Sequence, residues 1–368
     1  FLPFCWLVPD NPGPFPAPFN RTSGDFDRFK KWFSTLTSIK NPEKADAIDA
    51  IVLTYQNIKQ NNEELFSINC IEARPKNSLH QRMRPNILNI VYKLKKYHDI
   101  PDSPPTNGDI IENVIGRILV YAHLNGIEYH KRFCELVLPI IHVYYYGVLQ
   151  SEAIRYDMDL IEAMVADSFV RLMTNPVFYH LNVFPPSKFM NELLNKFIET
   201  IKPYSIYQMI MNANIKPSCF ASRWIETIFV KDLDFSEVIK IWDYLFDKLS
   251  QKISISRSAS SFLSQSSSLL SLQEPHLSHS TLISPSLSQP SSSATSIASS
   301  QSMISSSVFQ KFIQINTFHQ NIILLCAGCV LTREKVCRDA KTYKYLEIIQ
   351  DFNDVTAEDI ISQIENLE

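Results

Sequence analysis

The 368-residue chain carries 35 basic and 38 acidic residues, a formal charge of -3, and 45% of its side chains are hydrophobic. That is enough apolar mass for one large core or two smaller ones, and the near-balance of charge gives no reason to expect nucleic acid as a main partner. Only 7 glycines occur, which argues against the glycine-rich turns of sandwiches, barrels and phosphate-cradling loops, and for an all-α fold.

Residues 1–24 read as a proline-rich tail. The apolar opening Phe1 to Val8 has no basic flank or small-residue cleavage site, so it reads as the start of a fragment or trimmed product and not as a signal peptide. PDNPGPFPAPFN, residues 9–20, is too proline-dense for a helix. The folded part is expected from Asp25, read as a helix cap, with Phe26, Phe29, Trp32, Phe33 and Leu36 at 3–4 spacing behind it. Ala47, Ile48, Ile51, Val52, Tyr55 and Ile58 repeat the pattern. Further stripes predict helices over about Ile87 to Tyr97, Ile110 to Leu124, Tyr129 to Tyr146, Glu152 to Met173, Phe189 to Ile201 and Phe235 to Leu249.

The main helical part is thus expected over 25–250. From 251 to 307 serine and glutamine dominate; such a segment cannot bury a core and reads as a disordered insert. Arg257-Ser258-Ala259-Ser260 and Ser284-Pro285 within it fit kinase targets. Residues 308–368 restart the apolar pattern and are expected to close the same fold. No stretch of about 18 uncharged apolar residues exists, so no membrane span is expected. Seven cysteines, an odd number set mostly in apolar stretches, suit a reducing, cytoplasmic compartment. Cys326 and Cys329, with His319 and Cys337, invite a zinc or thiol-redox reading, but the spacing is partial and core cysteines are the better expectation. No metal or other cofactor is expected.

Ser222 to Phe246 contains Arg223-Trp224, a short acidic-aromatic link, and a helix ending in Trp242-Asp243 with an apolar pair after it. This string resembles the C-terminal half of the TBC module, the helical domain that acts on Rab-type GTPases. On this reading Arg223, Trp224, Trp242 and Asp243 are structural: the tryptophans act as wedges between helices, and Arg223 is expected to pair with Asp243. Arg117 to Ala122, Glu135 to Pro139, Glu162 to Met173 and the closing helices match other parts of the module in order.

The resemblance implies a partner, a small Rab-like GTPase in its GTP form, and two catalytic positions. An arginine from I-x-x-D-x-x-R neutralises charge on the transferring phosphoryl group, and a glutamine from Y-x-Q-G positions the attacking water. The arginine falls on Arg74, in Ile68 to Arg74, with Ile71 in place of the aspartate; Arg82 and Arg84 lie nearby. The glutamine position is Lys131 in Tyr129-His130-Lys131-Arg132, with Arg132 in place of the glycine. An ammonium group accepts no hydrogen bond, so Lys131 cannot hold water as an amide does. Tyr129 and Arg132 are expected at the GTPase-binding edge, Arg132 as an obstacle to close docking. The implied function is activation of a Rab-type GTPase in vesicle trafficking, with weakened activity; the alternative is an inactive module that serves as a Rab-binding scaffold or effector. Membrane contact is expected to be peripheral, through the lipid-anchored partner.

Overall fold

The structure, a computed structural model, describes residues 24–40, 42, 45–68, 77–97, 106–150, 158–182, 187–250 and 317–367. Their regular structure is all helical, as the sparse glycines predict. Helix α1, Asp25–Thr37, buries Phe29, Trp32, Phe33 and Leu36, the stripe read from the sequence. Its cap is Gly24, not Asp25. The Asp25 carboxylate is instead inside the first turn, 3.1 Å from Arg28 Nη1, where it also complements the helix dipole.

Helices α2 (Ala45–Asn61), α3 (Glu63–Phe66) and α4 (Ser78–Tyr97) follow. The expected start of α4 at Ile87 is too late: Leu79 and Met83 extend the same buried face N-terminally, and Pro85 is accommodated inside the helix on its exposed side. Helix α5 is Thr106–Leu124 and α6 Phe133–Gln150, nearly every described side chain of which is buried. The expected helix over 129–146 starts four residues later than its stripe, because residues 127–132 form an irregular turn. Helix α7, Met158–Thr174, packs on α1, α2, α5 and α6 and is the centre of the N-terminal half.

Two close contacts set this half. A Cβ at Gly147 of α6 would come within 2.2 Å of Phe29 Cβ, so only glycine lets α6 lie against α1. Between α2, α5 and α7, Glu162 is buried and receives both Arg117 Nε at 2.7 Å and Arg117 Nη2 at 2.5 Å, while the Tyr55 hydroxyl donates to the same carboxylate. The bidentate geometry and third donor satisfy a charge that would otherwise be costly to bury.

The second half comprises α8 (Lys188–Ile201), α9 (Ser205–Asn212), α10 (Ala221–Thr227), α11 over 235–250, α12 over 317–332, α13 (Glu334–Asp339), α14 (Tyr345–Gln350) and α15 (Ala357–Glu365). Helix α15 opens on a capping box between Thr356 and Asp359. The Glu237 carboxylate of α11 accepts the Ala357 N–H at 2.6 Å, and a Cβ at Gly328 of α12 would meet the Ile360 carbonyl at 2.7 Å. The closing helices therefore complete the same core, although residues 251–316, including the serine tract and its candidate phosphosites, lie outside the described residues.

Trp224 and Trp242 are buried wedges in different aromatic clusters. Trp224 meets Phe220, Phe229 and Phe352. Trp242 stacks on Trp32 of α1 at 5.5 Å and donates its indole N–H to the Ile228 carbonyl. The expected Arg223–Asp243 pair is not formed. Arg223 pairs with Asp232 in the loop after α10, nine residues along, whereas Asp243 faces α1 and accepts Trp32 Nε1 and Arg28 Nε, each at 2.7 Å. The two charged residues are on opposite ends of the motif, and each finds a nearer partner.

Asp243→Ala is expected to destabilise the protein by about 1–3 kcal/mol in urea unfolding, because it leaves the fully buried Trp32 indole N–H without an acceptor. The same change in a Trp32→Phe background should cost measurably less.

Candidate functional site

The turn between α5 and α6 brings three of the expected site residues together. Gly126, at φ 82, takes the left-handed conformation that ends α5, and the Ile127 N–H returns to the Ala122 carbonyl at 3.1 Å. Buried Ile127 then anchors the strip that presents Tyr129 to Arg132. The Arg132 carbonyl accepts the Glu135 and Leu136 N–H groups and so starts α6.

Their side chains diverge. Tyr129 is buried, with its hydroxyl receiving Asn86 Nδ2 of α4 at 2.9 Å and lying 3.5 Å from Cys134 Sγ. Lys131 is exposed. Arg132 turns inward and is only 2% exposed, with Nη1 3.1 Å from Glu226 of α10. Tyr129 and Arg132, both expected to face a partner, therefore hold the turn from inside. The Arg132 side chain does not project from the surface, because Glu226 supplies a counter-charge within the fold. Sequence reasoning gives no role to Glu226; the available signal is that it is the lone acidic residue of α10.

A second pair flanks the first: buried Glu135 meets Lys231 at 2.8 Å. Burial pushes the Glu226 carboxyl up, and Arg132 pulls it back; burial likewise lowers the Arg132 guanidinium, with Glu226 and Glu135 opposing. Between these groups the half-buried His130 imidazole drops from 6.5 to about 4, through burial first and then the charges of Arg132, Lys131 and Lys231.

Helix α4 closes the site from the other side. Arg82 is exposed, but its Nη2 donates to the Tyr129 carbonyl at 3.2 Å and its guanidinium carbon lies 5.7 Å from the Tyr129 ring centroid. Arg74 lies outside the described residues. Of the four residues read as structural, Trp224 and Trp242 are buried, Asp243 is partly buried and Arg223 is exposed. The cysteine cluster is internal: Cys326 and Cys329 are fully buried, with thiols pushed up by burial, and no metal-holding group of three ligands occurs among the described residues. No helix among the described residues is long and apolar enough to cross a membrane.

Two variants test this electrostatic account. Glu226→Ala should cost about 3 kcal/mol of stability, because it leaves a buried guanidinium without its counter-charge, and adding Arg132→Met should recover much of the loss. The His130 shift implies that the unfolded chain takes up a proton between pH 6.5 and about 4 that the folded protein resists. Its contribution to stability is therefore present above pH 6.5 and lost as pH falls toward about 4. In thermal unfolding across that window, His130→Gln should show a shallower fall in Tm than the parent.

The Rab-GTPase-TBC domain family model matches residues 48–270. Among curated proteins, human TBC1 domain family member 13 is 23% identical over 184 residues, 47% of this chain and 42% of that protein. Its mouse counterpart is 24% identical over 179 residues, 46% of this chain and 40% of that one. The chain thus aligns with less than half the length of these relatives. The crystal structure of the Ypt/Rab-GAP domain of Gyp1p superimposes with a TM-score of 0.53 at 14% identity, covering 93% of this chain and 87% of the other, which supports the fold. With more than half its residues inside the family match and this helical architecture around them, the chain belongs to the Rab-GTPase-TBC domain family.

Proposed function

We propose that this domain binds a Rab-type GTPase in its GTP form and stimulates hydrolysis of the bound GTP weakly, as a regulator of vesicle trafficking. The family match over 48–270 carries this reading. Phosphoryl transfer needs charge neutralisation at the transferring group and a water held in line. On this reading an arginine from the domain supplies the first, Arg74 being the residue its resemblance designates. The GTPase's own glutamine supplies the second, since Lys131 cannot accept a hydrogen bond from water. The domain acts through the partner's active site and performs no covalent step of its own. Its contact with endomembranes is peripheral, by way of the partner.

One observation favours the scaffold reading. The position that would carry the water-orienting amide is an exposed lysine, and the residue after it is committed to an internal ion pair. A domain of this kind keeps the binding surface and loses the rate enhancement.

Single-turnover GTP hydrolysis on a panel of Rab-type GTPases separates the two. The activator reading expects stimulation above the intrinsic rate on at least one GTPase. Binding of GTP-loaded partners with no stimulation on any of them would establish the scaffold.

A further inference from the structure

The arginines of the described fold are mostly neutralised. Arg28 meets Asp25 and Asp243, Arg117 meets Glu162, Arg132 meets Glu226, Arg223 meets Asp232 and Arg333 meets Asp354. Arg82 is held differently. Its contacts are a backbone carbonyl and an aromatic face, both on Tyr129, and no carboxylate pairs with it among the described residues. The arrangement restricts the guanidinium without cancelling its charge.

A guanidinium has five donors in a planar fork, and the Tyr129 carbonyl engages Nη2. The remaining donors suit the oxygens of a phosphate, which a fork binds in two-pronged fashion. Holding the side chain in advance reduces the rotamer freedom lost when an anion arrives. A second cation is close in sequence: Lys131 is exposed two residues beyond Tyr129. Exposed Glu128 is the opposing charge in the strip itself.

We infer that Arg82, held against Tyr129, is the arginine that this domain offers to the nucleotide phosphates of a bound GTPase, with Lys131 adding to the positive field beside it. The edge then reads phosphate charge with two cations, where an arginine and a water-orienting amide would divide the task. This rests on the proposed GTPase partnership and moves the phosphate contact from Arg74 to a residue on α4. Because Arg82 is exposed, its loss should leave folding intact.

The test uses the full chain and the GTPase panel loaded with GDP, with GDP plus aluminium fluoride, or with a non-hydrolysable GTP analogue. Aluminium fluoride mimics the transferring phosphoryl group, so a phosphate-reading arginine should matter most in that complex. Arg82→Ala is expected to weaken the aluminium fluoride complex by about tenfold or more, to change the GDP complex little, and to keep the parent's Tm. Arg82→Lys, which keeps the charge but loses the fork, should recover only part of the loss. Arg74→Ala should retain the aluminium fluoride complex. Equal affinities for parent and Arg82→Ala overturn the inference while leaving the GTPase partnership standing. Failure of the parent to bind any GTPase in any state removes the partnership and the inference with it. A role for Arg82 seen only in sedimentation with phosphatidylserine vesicles would assign the edge to a membrane surface and overturn the nucleotide reading.

Discussion

Asp243 joins the two halves of this fold. Its carboxylate holds the Trp32 indole and the Arg28 guanidinium, residues that precede it by 211 and 215 positions. The Trp32 ring in turn stacks on Trp242, whose own N–H reaches the carbonyl of Ile228 at the end of α10. Helix α1 is thereby fixed to α11, and the loop after α10 is fixed to both. The aromatic stack contributes area, but the carboxylate determines its geometry. Two donors of fixed direction converge on one acceptor group, which leaves α1 little freedom to rotate or slide.

The turn between α5 and α6 obeys the same rule of internal satisfaction. Arg132 is a long cation in the irregular turn that precedes α6. Turned inward onto Glu226, it becomes a brace between the start of α6 and α10. A large charged side chain is thus accommodated at this turn by a partner within the fold. The adjacent Lys131 is at the surface.

The sequence displayed the fold class because helical periodicity is local. The α1 stripe and the bounds of α8 and α11 could be read from spacing alone, and the two tryptophans in the Arg223 to Phe246 string identified their helices as core. Pairing was hidden because it is not local. Asp243 finds its partners over 200 residues away, and no spacing rule distinguishes Arg28 from Arg223 as the closer cation. Helix α9, eight residues with Ile206 and Ile210 buried, is too short to repeat its pattern. At the candidate site the positions of Tyr129, Lys131 and Arg132 were legible, but the directions of their side chains were not. A turn has no period, and which residue faces inward depends on whether α10 offers a carboxylate.

Helix α1 also shows how the order of synthesis bears on this architecture. Its Phe29 face can be covered as soon as α6 is made, since Tyr144 and Gly147 lie against it. Its Trp32 face must wait for α11. At about 5–20 residues per second on a ribosome, the 211 positions between Trp32 and Asp243 correspond to a delay of about 10–40 s. During that interval an indole destined for complete burial has neither its stacking partner nor its acceptor. Helix α1 is therefore covered on one face well before the other, and its packing is complete only when α11 has been made.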